Sequence, residues 1–249
     1  MAASTEKFSS AMLEILRASS NVAVLTGAGI SAESGVPTFR QAQTGLWSQF
    51  DPLQLATPQA FQNDPKLVWD WYAWRRKLIS ESLPNSGHHA LADLENYFPE
   101  FTLITQNVDG FHQLAGSKAV IELHGNIFRT KCSQENRLIT DPPQTTGTPP
   151  RCPHCGELLR PDVVWFGESL PAEVLNNAMR AVNACQVFIS IGTSTLVEPA
   201  ASLPFIALNN GATVVEINPQ TTLLTPMASY SVRGKAAEVL PKLAVEVLR

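Results

Sequence analysis

The feature that most constrains this chain is a set of four short apolar runs, residues 22–26, 102–105, 187–191 and 213–217. Each is rich in β-branched residues and almost continuous in hydrophobicity. Strands buried on both faces of a parallel sheet read this way, whereas strands with one wet face alternate. Helical patterns lie between the runs, for example over residues 84–97 and 171–185. Such alternation predicts a doubly wound α/β domain. In these sheets ligands bind beyond the carboxyl ends of the strands. Here those ends read Thr-Gly-Ala-Gly, Thr-Gln-Asn-Val-Asp, Gly-Thr-Ser and Asn218, all polar or glycine-rich, so one site is expected to draw on all four.

Two stretches break the alternation. Residues 37–83 are rich in Trp, Phe and Gln and read as helical after a loop. Residues 129–161 are rich in Pro and Thr and hold three of the 4 cysteines. Both are read as insertions forming a small second domain: a cofactor loop with a helical module over 37–83, and a ribbon-like module over 129–161. The main domain then comprises residues 1–36, 84–128 and 162–249.

Composition narrows the function classes. With 44% hydrophobic and 16% charged residues, a packed core is available and disorder is not expected. A net charge of −4 and a pI near 5.7 give no basic footprint for nucleic acid. No run approaches the ~18 apolar residues of a membrane span. The Ser-rich start carries Glu6 and Glu14 and leads directly into a strand, so it reads as the first helix of a soluble domain rather than a targeting peptide. Four cysteines are few for a disulfide framework, and Cys152-Pro-His-Cys155 suggests a metal or redox pair, with the cytoplasm as the default location.

The first strand runs into Gly27-Ala28-Gly29-Ile30-Ser31-Ala32, a G-x-G-x-x-A pattern before a helix. The first glycine is read as allowing the tight turn, and the second as letting the backbone approach a pyrophosphate at a helix N-terminus. A plain glycine-rich turn would look the same. No acidic residue follows a second strand about 20 positions on, where a dehydrogenase holds the adenosine ribose. The chain continues instead through Glu33-Ser-Gly-Val-Pro-Thr-Phe-Arg40, which suits a loop carrying a cation. An enzyme that breaks NAD fits better than one that transfers hydride.

Five blocks make the pattern specific: GAGISAESGVPTFR at 27–40, TQNVDGFH at 105–112, ELHG at 122–125, VVWFGE at 163–168 and GTS at 192–194. In this order and spacing they resemble the motif set of the sirtuins, over most of the chain. The resemblance implies a Rossmann-like sheet with a small second domain, part helical insertion and part zinc-ribbon-like insertion. It implies NAD as co-substrate and acylated lysine side chains of proteins as partners, with no nucleic acid and no membrane. The acyl-lysine oxygen would displace nicotinamide to give an ADP-ribosyl imidate. Residue by residue, Gly27, Ala28, Gly29 and Ser31 would cradle the phosphates, Phe39 would cover the reacting ribose, Arg40 would help order the cofactor loop, and Trp47 would also bind the cofactor. Gln106, Asn107 and Asp109 would face the ribose and nicotinamide, where a polar strand end with an Asx turn is the plainer reading. Gly192, Thr193, Ser194, Asn218 and Ala236 would hold the adenosine end. His124, in the ELHG context, would be the general base, since imidazole titrates near neutrality. His88 and His89 read as helix-initial, His112 as structural and His154 as a loop residue. Val163, Val164, Phe166 and Gly167 would lie in an extended segment that takes the substrate backbone by strand addition.

Tyr72 and Arg75 share a helix face at i and i+3. They read either as a solvated basic face, with Arg76 and Lys77 beside a core stripe, or, by resemblance to class III sirtuins, as the Tyr-x-x-Arg of an acyl pocket that Ala56 widens. That pocket would accept succinyl or malonyl as well as acetyl groups through charge-assisted bonds. The family's zinc site departs from its usual form here. Cys152 and Cys155 supply one pair, but Cys132 stands alone with Glu135 where its partner is expected. Glu135, His154 or water would complete a tetrahedron, or the module folds without metal. A zinc-ribbon binding module and an NAD-dependent protein ADP-ribosyltransferase are the remaining alternatives; the second would use the same cleft.

Overall fold

A computed structural model describes residues 8–36, 51–142 and 148–249 of the 249-residue chain. Its main sheet has six strands in the order β3-β2-β1-β7-β8-β9. They are β1 (Asn21–Thr26), β2 (Glu100–Thr105), β3 (Val120–Glu122), β7 (Val187–Ile191), β8 (Thr213–Asn218) and β9 (Tyr230–Arg233), and every pairing is parallel. A second, antiparallel sheet has the order β5-β4-β6, with β4 at Gly125–Cys132, β5 at Leu138–Ile139 and β6 at Leu159–Val163.

The described helices are α1 (Ser10–Ala18), α2 (Ala28–Ser31), α3 (Pro52–Leu55), α4 (Pro58–Asn63), α5 (Pro65–Ser80), α6 (Ser86–Tyr97), α7 (Phe111–Leu114), α8 (Ala172–Ala184), α9 (Leu203–Asn209) and α10 (Ala236–Val247). The four apolar runs are all strands, and β7 is buried along its whole length. The strand period of two sorts each run onto two faces. Val22 and Val24 pack with Met12 and Leu16 of α1, Leu91 and Leu94 of α6, and Val239 and Leu243 of α10. Ala23 and Leu25 pack on the opposite face with Ala178 and Val182 of α8 and Leu203 and Ala207 of α9. Continuous hydrophobicity thus reports helices on both sides of the sheet.

The chain leaves β1 toward β2 on one side and later returns as β7 on the other, so strand order reverses at the β1/β7 boundary. Parallel register places Thr26 beside Thr105 and Ile191, bringing the polar strand ends to one edge. Ligand crevices in open α/β sheets form at such a reversal.

The helical insertion packs on the main domain where the ribbon departs from it. Val68, Trp71, Tyr72 and Ile79 of α5 pack with Phe61 and with Ile127, Val163 and Trp165, which flank the ribbon module. Local signals start the helices: Pro58 follows the Thr57 cap, and Pro65 follows Asp64, whose carboxylate accepts the Leu67 N–H at 2.9 Å. No helix among the described residues is long and apolar enough to cross a membrane.

Candidate active site

At the switch point the loop after β1 is locked onto the loop after β7. Gly27 N–H donates to the Ile191 carbonyl at 3.0 Å, and Gly29 N–H to the Gly192 carbonyl at 2.9 Å. A Cβ on Gly29 would stand 2.7 Å from Gly192 Cα, and one on Gly192 would stand 2.8 Å from Gly29 Cα. This corrects the sequence reading of the first glycine. Gly27 has φ −127° and ψ −171°, extended backbone open to any residue, so no tight turn requires it. A Cβ there would instead meet the Gly192 carbonyl oxygen at 2.9 Å. Both glycines are demanded by the neighbouring loop, which they allow to close beneath the site. Thr193 is buried and Ser194 exposed in that loop, and Asn218 Nδ2 at the end of β8 donates to the Thr193 carbonyl at 2.8 Å. Ala236 is buried at the start of α10, where the Ala237 N–H donates to Glu33 Oε2 at 2.8 Å.

The loop after β2 adds the polar centre. Asn107 Nδ2 donates to the Gly27 carbonyl and to Ser31 Oγ, each at 3.1 Å. Ser31 Oγ donates to Asp109 Oδ2 at 2.7 Å, and the Phe111 N–H donates to Asp109 Oδ1 at 3.0 Å. Burial pushes the Asp109 carboxyl upward, opposed by these two bonds. Beneath lie two buried imidazoles. His88 Nδ1 accepts the Asn85 N–H at 3.2 Å, and its Nε2 lies 3.4 Å from Ser31 Oγ. His112 Nε2 lies 2.9 Å from Thr26 Oγ1, which donates to Thr105 Oγ1 at 2.8 Å. Burial lowers His88 to about 4 and His112 to about 3, so both stay neutral near pH 7. His88 is thus part of the support under Ser31 as well as helix-initial. Asn85 and Glu33 were not singled out from sequence. Asn85 had a signal, as the cap residue after Pro84, and it also donates from Nδ2 to the Ile30 carbonyl at 2.7 Å.

His124 sits in the turn between β3 and β4. Its Nδ1 lies 2.9 Å from the Gln106 carbonyl, which can only accept, so Nδ1 carries the proton and Nε2 keeps its lone pair. Burial lowers its pKa below the ordinary imidazole value, opposed by that bond. Gly125 follows with φ +79°, and a Cβ there would fall 2.2 Å from the Asp162 carbonyl oxygen. Only glycine lets β4 leave His124 against β6. The structure therefore brings His124, Gln106, Asn107, Asp109, Ser31 and the glycine loops to one edge. Phe39, Arg40 and Trp47 lie outside the described residues.

The 163–168 segment differs from the extended strand expected. The Val164 N–H donates to the His124 carbonyl at 2.9 Å and the Phe166 N–H to the Ala56 carbonyl at 2.9 Å. The chain then turns at Phe166–Gly167, with Gly167 at φ +88°. Glu168 causes the turn: its Oε2 accepts the Trp165 N–H at 2.8 Å and Arg160 Nη2 at 2.9 Å. The Arg160 guanidinium lies 3.3 Å from the Trp165 ring centroid.

Tyr72 is fully buried, and Trp165 Nε1 donates to its hydroxyl at 3.0 Å. Arg75 stacks 5.0 Å from the Trp71 centroid and 5.8 Å from that of Tyr72, and burial lowers its pKa. Arg76 donates from Nε to the Ile127 carbonyl at 2.6 Å and lies over Trp69. Neither arginine belongs to a solvated basic face. Arg75 lies over Tyr72, whose hydroxyl meets Trp165, and Ala56 packs in the same cluster and accepts the Phe166 N–H.

Cys132, Glu135, Cys152 and Cys155 each offer a ligand atom, all within 4.8 Å of one another. Cys132 and Cys155 sulfurs are 3.4 Å apart without a disulfide, and the Glu135 N–H points at Cys132 Sγ from 3.4 Å. Three thiols and a carboxylate are a donor set that Zn²⁺ accepts, so these residues fit a structural zinc ion. His154 is outside the cluster.

Residues 27–199 match the Sir2 family. An NAD-dependent protein deacylase of Aquifex aeolicus is 53% identical over 227 residues, covering 90% of this chain and 93% of the relative. One from Pyrococcus furiosus is 51% identical, covering 95% and 96%. A crystal structure of a Sir2 homologue–NAD complex superposes with TM-score 0.91 at 48% identity, covering 97% of this chain and 94% of that one. A Sir2–p53 peptide–NAD⁺ complex superposes at 0.82 with 32% identity, covering 95% and 97%.

Proposed function

The chain belongs to the Sir2 family, and from that premise we propose that it is an NAD-dependent protein-lysine deacylase with His124 as its general base. The observation that carries this reading is the tautomer: Nδ1 is committed to the Gln106 carbonyl, so Nε2 faces reactants as an unprotonated base.

The Gly27–Ser31 loop and residues 192–194 form the cleft floor that would bind NAD, with Asn107 and Asp109 oriented by Ser31 toward the ribose and nicotinamide end. NAD supplies an ADP-ribosyl group as the acyl acceptor. His124 takes a proton at Nε2 from a ribose hydroxyl, and the released products are nicotinamide and O-acyl-ADP-ribose. An acylated lysine of a protein enters beside Val163, Val164, Phe166 and Gly167, between the sheet domain (1–36, 84–128, 162–249) and the small domain (37–83 with 129–161). Cys132, Cys152, Cys155 and Glu135 would hold a structural zinc ion, which would supply a cross-link away from the chemistry. The unpaired cysteines suit a reducing compartment such as the cytoplasm.

Beyond acetyl, the pocket is built for a dicarboxylic acyl group. The Tyr72 phenol and Arg75 guanidinium supply a donor and a cation beside the small Ala56, a setting for a succinyl or malonyl carboxylate. Acetyl- and succinyl-lysine peptides incubated with and without NAD, followed by mass spectrometry, test both levels. NAD-dependent loss of acyl groups that falls by at least ~10²-fold in His124→Ala is the expected result. Nicotinamide release with ADP-ribose transferred to protein would instead establish the transferase, and no NAD consumption would overturn the reading.

A further inference from the structure

We propose that Trp165 is a specificity-determining positioning residue that sets the Tyr72 hydroxyl as a donor toward an acidic acyl tail. This rests on the dicarboxylic-acyl reading above. An indole N–H only donates, so the 3.0 Å bond from Trp165 Nε1 makes the phenol oxygen its acceptor. The phenol's own proton must then point away from the indole. Among the described residues, the hydrogen bond that holds the phenol is the one it accepts from the indole. An anionic acyl carboxylate, which accepts only, is the ligand chemistry that completes such a donor. A neutral acetyl group gains nothing from it.

The indole itself is fixed from three sides. Arg160 stacks on its face, Phe61 lies 5.2 Å away centroid to centroid, and Glu168 holds both Arg160 and the Trp165 backbone N–H. Trp165 also sits between Val164, tied to His124, and Phe166, tied to Ala56, so the same short segment sets the distance from base to pocket.

The test compares kcat/KM for succinyl- and acetyl-lysine peptides in wild type, Trp165→Phe, Tyr72→Phe and the double variant, with Tm recorded for each. Phe keeps the ring packing and removes the N–H. The expected result is an about fivefold to tenfold fall in the succinyl/acetyl ratio for Trp165→Phe, carried mainly by KM. The double variant should be no less selective than Tyr72→Phe, because the indole acts through the phenol. Equal losses on both peptides, or effects of the two substitutions that multiply, would overturn the proposal and leave the dicarboxylic reading standing. Retained selectivity in Tyr72→Phe would overturn it even if Trp165→Phe does not fold. A wild type that is inert on succinyl-lysine would remove the dicarboxylic reading, and this proposal with it.

Discussion

The six-stranded sheet and the three-stranded ribbon solve the same problem with different means. In the sheet, β7 is wholly buried and apolar side chains fill a layer on each face. Burial at ~25 cal/mol per Å² of apolar surface is sufficient there, and no cross-link is required. At the outer end of the ribbon the enclosed cluster among the described residues is Cys132, Ile139, Cys152 and Leu159. Two of the four are thiols that also belong to the metal-binding group. A core that small does not by itself offset the entropy of ordering its loops, and a metal ion on these ligands would supply the difference. Stability in one region is spread over many side chains, and in the other it would be concentrated in four ligands.

The comparison breaks first at the metal. Chelation, or Cys152→Ser, should open the ribbon while the sheet stays closed, because structural zinc contributes about 10 kcal/mol or more to such modules. Hydrogen exchange read peptide by peptide should show protection lost around residues 132–159 and kept in β1 and β7. Protection surviving in both would mean that the ribbon folds without metal. Gly192→Ala probes the sheet at its tightest point. With φ +59° and a Cβ 2.8 Å from Gly29, it should cost about 1–3 kcal/mol and weaken NAD binding, as read by Tm and calorimetry. A neutral result would show that the two loops separate easily.

The smallest effect is acidic. His88 and His112 have folded pKa values of about 4 and about 3, below the ordinary 6.5 of the unfolded chain. Between these values the unfolded state binds more protons, so stability falls as pH falls below about 6.5. Each imidazole contributes a slope of up to about 1.4 kcal/mol per pH unit. Denaturant midpoints from pH 7 to 5 in wild type and His88→Asn should differ in slope by about one such group.

The sequence is most readable where one physical cause acts alone. Strands β1, β2, β7 and β8 are continuous apolar runs because both faces are covered, and the polar strand ends follow from that. Edge strand β9 is four residues long with Val232 its sole fully buried side chain, so no run announces it. In the candidate site, the gathering of the motif blocks at one edge was legible, but the residues that support them were not. Glu33 meets Ala237 across 204 positions, and Tyr72 meets Trp165 across 93. The glycine loop shows the same limit. Its pattern was visible, yet the atom each glycine makes room for belongs to Gly192, which only the folded sheet brings near.

The bond from Val164 N–H to the His124 carbonyl has a consequence for how this scaffold can change. His124 is anchored main chain to main chain, a linkage that tolerates side-chain exchange at Val164. Ala56 and Tyr72 belong to the inserted helical stretch, and their replacement leaves that anchor in place. On the proposed function, acyl preference and proton transfer would therefore be separately adjustable, with the helices altered while the imidazole stays where it is.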